Sequence, residues 1–284
     1  MDLDKLNAWM GKLRNDCFPL RFVMEKLTLG HGNPGNERGS NSPENSGNKD
    51  EQSESREHSP NGNDQQLKKN MTKRYPVYCI QRDDKLIAVS FDAGWGNEDT
   101  QTLVDILERF GVRTTFFVVG TWVDRYPESV KVLIDAGHEV MNHSSTHAHF
   151  SELSSAEIVA DILACNDKIK AATGLSPTLF RCPYGEYDDH VIEAVSSLGM
   201  MAIQWDADSY DWTGISADEI QRRVLDTVQP GSIVLFHNAA KNTPEALPGI
   251  FEALLAEGYR IVPVSQLLLK GDYFIDHTGR QCRL

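Results

Sequence analysis

Apolar residues recur along this chain in short β-branched and aromatic runs that alternate with stretches of helical spacing, beginning abruptly near Tyr75. Residues 77–81 and 86–91 read as strands on either side of an Asp83-Asp84 turn, and a helix over 100–110 ends at Gly111. The run over 114–119 is the next strand. A helix over 127–136 then opens on Pro127 and stops at Gly137. Residues 139–141 form a short strand. Ser154 with Glu157 makes a capping box for a helix to about Ala172, and Ser216 with Glu219 opens another to about Val228. Later strands at 178–181, 200–204, 232–236 and 260–264 interleave with helices near 189–198 and 244–256. About seven βα units in succession imply an α/β fold whose parallel strands close, or nearly close, into a barrel. In such a barrel, function belongs to the loops at the strand C-termini.

Upstream of Tyr75 the pattern is different. Leu3, Leu6, Trp9, Met10 and Leu13 stand at roughly helical spacing, which suggests an amphipathic helix within residues 1–29. From 30 to 66 there is not one aliphatic or aromatic residue. Such a segment cannot offset its ordering entropy, so 30–74 is expected to be a disordered linker and 75–284 the folded domain. A chain starting near Tyr75 is accordingly expected to melt within a few degrees of the full chain. A large loss of stability or solubility on this truncation would show that the N-terminal helix packs on the barrel.

Composition sharpens this picture. With 284 residues, 40% of them hydrophobic, the chain is long enough to bury a substantial core. The net charge of −13 is unevenly spread: residues 1–74 carry 12 basic and 11 acidic side chains, leaving 16 against 30 for the rest. A domain so acidic repels a phosphate backbone, which argues against nucleic acid as a partner. Five cysteines without C-x-x-C spacing signal neither a thiolate zinc site nor a disulfide framework. No apolar run approaches the length of a membrane span, and the N-terminus lacks the apolar core of a secretory signal. A monomer is expected.

The candidate chemistry centres on Asn142-His143-Ser144-Ser145-Thr146-His147. Two imidazoles four residues apart reach one point only if the chain turns locally, and neutral imidazole is the commonest metal ligand. Alone, such a pair is more often two solvated histidines in a polar loop. It is not alone, because Asp92, Arg181, Asp208 and His237 also end predicted strands, where a barrel carries its active site.

With those motifs, residues 85–268 resemble a polysaccharide deacetylase domain of the NodB-homology type, carbohydrate esterase family 4. The resemblance implies a distorted (β/α) barrel that removes acetyl groups from N-acetylhexosamines in peptidoglycan, chitin or related glycans. It implies a divalent metal, zinc first with cobalt or manganese as alternatives, held by His143 and His147. Asp92 matches the general base and Arg181 the arginine that orients it. His237 matches the acid, with Asp211 and Trp212 as the groups that support it. Tyr184 matches the oxyanion donor through its backbone N–H, and Leu235 the wall of the acetyl pocket. Trp95, with Tyr184 and Trp212, lines an aromatic groove for glycan. A cell-envelope location is implied by the resemblance alone.

One departure from the family pattern stands out. Two adjacent aspartates are usual in the first motif, the second being a metal ligand, and here the pair reads Asp92-Ala93. A methyl group cannot ligate, and zinc sites normally need three protein ligands. The metal is therefore expected to be held weakly, to recruit Asp208 or Asp92 itself, or to be absent. Two further readings follow: a glycan-binding barrel that has lost hydrolysis, and a hydrolase of small N-acyl substrates.

Overall fold

The structure, a computed structural model, describes residues 75–284; the helix and linker expected within 1–74 lie outside the described residues. Parallel strands β2 (Leu86–Ala93), β3 (Thr115–Val118), β4 (Glu139–Asn142), β5 (Leu179–Phe180), β6 (Met201–Ala202), β7 (Ala207–Asp208) and β8 (Ile233–His237) curl into one sheet of order β6-β5-β4-β3-β2-β8-β7. A short strand β9 (Arg260–Val262) adds to β2 below β8. The sheet is a curled half-barrel: β6 and β7, neighbours in sequence, lie at its two ends. The expected α/β barrel is thus present, left open along one seam.

Helices return the chain between strands: α1 (Thr100–Arg109), α2 (Gly120–Arg125), α3 (Pro127–Asp135), α4 (Ser155–Thr173), α5 (Asp189–Ser197), α6 (Ala217–Thr227) and α7 (Thr243–Ala256). Their starts follow the side-chain chemistry. Ser154 and Glu157 form the reciprocal capping box at α4, and Ser216 accepts from the Glu219 N–H at α6. Pro127 at the first turn of α3 gives up no intrahelical bond.

Two elements depart from the sequence reading. The strand expected at 77–81 shrinks to β1 (Cys79–Ile80); this segment keeps single bridges to the barrel, Val77 to Ile203 and Cys79 to Ser232, and pairs mainly with a C-terminal hairpin, β10 (Tyr273–Ile275) and β11 (Arg280–Arg283). That hairpin went unread because its strands are three and four residues long, with only one aromatic-aliphatic run between them. The short helix α8 (Val264–Leu267) takes the end of the strand expected over 260–264. The four cysteines among the described residues are buried and free.

Side-chain parity decides what the site is made of. In β2, Ile87, Val89, Phe91 and Ala93 pack into the layer between sheet and helices, whereas Leu86 and Ala88 face the barrel interior. Ser90 and Asp92 continue the inward set. By the same alternation, Ile233 and Phe117 are inward while Val234, Phe236 and Phe116 are outward. Phe91 stacks on Phe116 at 4.8 Å and on Phe236 at 5.6 Å, fixing the central strands against the helices. Inward parity carried one step past the apolar interior therefore delivers Asp92, His143, Arg181 and His237 to one end of the barrel.

Candidate active site

Arg181 is the electrostatic anchor. It is completely buried, donates from Nη1 to Asp92 Oδ1 at 2.7 Å and from Nη2 to Ser90 Oγ at 2.9 Å and the Gln204 carbonyl at 3.2 Å. Its guanidinium lies 4.1 Å from the Phe117 ring centroid and 5.6 Å from that of Trp205. A cation held this firmly defines its partner. Burial alone would push the Asp92 carboxyl up, but Arg181, with the protonated His237 beyond it, outweighs burial and holds Asp92 below the ordinary carboxylate range.

The histidine loop turns as its spacing requires. Ser144 and His147 adopt φ of 68° and 58°, left-handed for non-glycine residues, and the turn is tied by side chains. Asn142 accepts from the Ser144 N–H at 2.7 Å, Ser144 Oγ from the His147 N–H at 2.8 Å, and Asp161 from the Ser145 N–H at 2.6 Å. The imidazoles of His143 and His147 then meet edge to face at 5.0 Å. His143 Nδ1 donates to the Arg181 carbonyl at 2.8 Å, which fixes the proton on that nitrogen and leaves the lone pair on Nε2, 3.4 Å from Asp92 Oδ2. Burial holds both rings neutral, pushing His147 down to about 3 and lowering His143 as well.

His237 is built the opposite way. Its Nδ1 and its backbone N–H both meet Asp211, each at 2.8 Å, and the Thr243 hydroxyl donates to the same carboxylate at 2.7 Å. Burial would lower the imidazole pKa, but Asp211 outweighs it, helped by Asp92 and Asp208, and holds it above the ordinary value. Asp211 has no exposed side-chain surface, whereas His237 keeps 13%, so the imidazole remains reachable from solvent.

The remaining sequence candidates surround this centre. Leu235 is 2% exposed and has the same inward parity as Ser90, its partner in register. Tyr184, at φ 60° in the 183–185 turn, packs its ring against His147 at 4.6 Å and stacks on His149 at 4.2 Å. Trp212 stacks on Tyr210 at 6.4 Å, and Trp95 stacks on His237 itself at 5.7 Å. All five positive-φ non-glycine residues among the described residues, Ser144, His147, Tyr184, Tyr210 and Ala239, lie in these strand-to-helix loops. Concentrated backbone strain of this kind is typical of functional sites.

For a divalent metal the donor set is incomplete. His143 and His147 supply two neutral imidazoles, but Ala93 packs its methyl into the sheet–helix layer and is fully buried. Asp208 has both oxygens engaged, by the Tyr210 N–H at 2.8 Å and the Trp205 indole at 3.1 Å. Among the described residues no group of three or more His, Cys, Asp or Glu is placed to hold a metal ion.

Sequence reasoning missed Ser90, Gln204, Trp205, Asn238 and Thr243. Gln204 closed a predicted strand and Trp205 followed it, the same signal as the residues that were found; Ser90 lies within the strand read over 86–91 and Thr243 at the start of α7, and only the fold brings them to Arg181 and Asp211.

Comparison with known proteins places this geometry. The polysaccharide deacetylase profile matches residues 80–203. A chitooligosaccharide deacetylase of Bradyrhizobium sp. is 30% identical over 218 residues, 69% of this chain and 100% of that protein. The peptidoglycan-N-acetylglucosamine deacetylase PgdA of Listeria monocytogenes is 33% identical over 209 residues, 72% of this chain but 44% of that longer protein. Among solved structures, a CE4 family pseudoenzyme from Bacillus anthracis superposes with a TM-score of 0.66 at 31% identity, covering 74% of this chain and 73% of that one. A mutant of the same pseudoenzyme with restored enzymatic activity matches equally, at 32% identity. With a matching profile and a relative covered from end to end at this identity, the chain belongs to the polysaccharide deacetylase family.

Proposed function

We propose that the protein hydrolyses N-acetyl groups from an N-acetylhexosamine polysaccharide of peptidoglycan or chitin type. One observation carries the reading: Asp92 and His237 are register partners at the ends of adjacent parallel strands. The first is a carboxylate held low by Arg181, the second an imidazole held high by Asp211. Two titratable groups whose surroundings drive their pKa values apart make a base and an acid. In this reading Asp92 takes a proton from water, whose oxygen attacks the acetyl carbonyl, while the Tyr184 N–H receives the developing oxyanion. His237 then protonates the sugar nitrogen as the C–N bond breaks, leaving acetate and a free amine. Leu235 walls the acetyl methyl, and Trp212 packs along the glycan.

Deacetylases of this family are generally metal-dependent. His143 and His147 supply only part of a ligand set here, so the proton transfers above are those of the chain's own groups. A second reading, a barrel that binds glycan without hydrolysing it, is favoured by Ala93 and by the pseudoenzyme relative. Acetate release from an N-acetylglucosamine oligomer, paired with elemental analysis of the purified protein, separates the two. No acetate at any metal concentration, with glycan still bound, selects the second.

The Ala93→Asp variant tests the ligand count. It is expected to bind zinc at least about tenfold more tightly by calorimetry if the strand end lets the added carboxylate turn out of the sheet–helix layer toward the two imidazoles. The metal-free variant should melt several degrees lower, since the carboxylate enters an apolar layer. Zinc should reverse that deficit. Equal affinities in the two proteins would show that position 93 does not limit metal binding.

A further inference from the structure

The loop after β8 is clasped to the loop after β2 by a single amide. Asn238, 2% exposed, accepts from the Gly94 N–H at 3.2 Å and donates from Nδ2 to the carbonyls of Trp95 at 2.6 Å and Gly96 at 2.9 Å. Its own N–H donates to the Asp92 carbonyl at 3.1 Å. The next residue continues the clasp, with the Ala239 N–H donating to Asp99 Oδ2 at 2.8 Å and Ala239 itself held at φ 54°. From the other side, the Trp122 indole donates to the Gly96 carbonyl at 2.5 Å. The two loops touch so closely that a Cβ on Gly96, itself at φ 55°, would come within 2.9 Å of the Ala239 methyl. Trp95 is thereby laid across His237, centroids 5.7 Å apart and planes 24° from parallel.

We propose that Asn238 and Trp95 are positioning residues for the acid: Asn238 fixes the 94–96 turn, and the turn holds the indole flat against one face of the His237 imidazole. Two consequences follow. The indole face stabilises an imidazolium beneath it. With Asp211 on Nδ1 and Trp95 on one face, proton exchange is confined to the edge that carries Nε2. Asn is singular in this role. Aspartate has the same shape but would set an anionic oxygen against two carbonyls, and leucine could neither accept nor donate. The charged and titratable groups facing His237 are Asp92 from β2, Asp208 from β7, Asp211 from the turn after it, and the neutral rings of His143 and His147. Asp92 meets the clasp only through its backbone carbonyl, and Asp99, which accepts the Ala239 N–H and whose carboxyl burial pushes up to about 6, is the clasp's own acid; the Trp95 variants alter neither, so the contribution of the indole can be isolated.

The inference rests on His237 being the acid, yet its test does not depend on turnover. In the full-length protein, the His237 ring resonances are followed against pH by NMR, together with the Trp95 emission obtained as the difference between wild type and Trp95→Phe. A protonated imidazole quenches a stacked indole, so wild type should show both signals titrating at one midpoint. Asn238→Leu, which removes the clasp without adding charge, and Trp95→Leu should each lower the His237 protonation constant about threefold to tenfold, roughly half to one pH unit, while Trp95→Phe keeps most of it. If Asn238→Leu does not fold, the Trp95→Leu and Trp95→Phe pair decides alone. A His237 midpoint unmoved in folded Trp95→Leu overturns the proposal, and weaker glycan binding in that variant would then mark Trp95 as a sugar platform. A chain that releases no acetate but shows the shift would reject the hydrolase reading while leaving the hold of Asn238 and Trp95 on the His237 ring established.

Discussion

His237→Ala is expected to reduce acetate release by about 10²–10⁴-fold while the protein stays folded. The loss is confined to chemistry because the side chain stands at the end of β8 within reach of solvent, and its removal leaves the apolar contacts of Val234 and Phe236 untouched. Asp211 keeps two donors, the residue-237 N–H and the Thr243 hydroxyl, so no buried carboxylate is stranded. The pH profile carries a second signature. With Asp92 held low and His237 held high, the wild-type plateau should run from below the usual carboxylate range to above the usual histidine value, and its basic limb should disappear in the variant. The assay is made in the natural chain and again in the Ala93→Asp background, so that a metal-limited wild type does not mask the result. An unchanged rate in both would move the acid role away from His237.

Arg181→Leu should have the largest effect on stability, about 3–5 kcal/mol, equivalent to a melting temperature roughly 10 °C lower. Leucine fills part of the space, but Asp92, 4% exposed, would lose its counter-ion, and Ser90 Oγ and the Gln204 carbonyl would each lose a donor. The sign of the pH dependence is fixed by linkage. In wild type the folded Asp92 pKa is depressed, so its contribution is present above about pH 3.9 and is lost as pH falls through the folded value. Without Arg181, burial dominates and raises that pKa, so the variant recovers relative stability as Asp92 protonates. Urea denaturation at neutral pH and near pH 4 should show the gap narrowing toward acid, and Asp92→Asn should rescue part of the loss. A gap that is constant with pH would show that Asp92 is not the group left uncompensated.

What could be read from the chain was whatever depends on local spacing. The capping box at Ser154, the proline start at Pro127 and the turn between His143 and His147 are properties of consecutive residues, and all three are present in the structure. The gathering of Asp92, His143, Arg181 and His237 was legible for a related reason, since a parallel βα repeat sends every strand end to one rim. What escaped depends on contacts between elements far apart in sequence. Ser90 matters because Arg181 crosses the barrel interior to reach it, and Thr243 because α7 starts beside Asp211. β1 pairs with β11 across nearly the whole domain, a partnership that no window of the chain can display. Parity also changes the meaning of position 93. Read in sequence it is a missing ligand beside the base, whereas in the fold its methyl is part of the layer that seats the helices.

The two rims of the barrel handle left-handed backbone differently, and this bears on how the protein can be re-engineered. Helix-to-strand returns use glycine at positive φ: Gly111 after α1, Gly137 after α3, Gly174 after α4, Gly199 after α5 and Gly258 after α7. Strand-to-helix returns use glycine too, at Gly96, Gly185 and Gly214, but they alone also place non-glycine residues in this region, Ser144, His147, Tyr184, Tyr210 and Ala239, where a side chain costs energy and is aimed by that cost. New termini, grafted loops or fused reporters therefore belong at the glycine rim, where around Gly111, Gly174, Gly199 and Gly258 nothing lies within 4 Å of a notional Cβ. A chain reopened there would relax without disturbing the aim of a single reacting group.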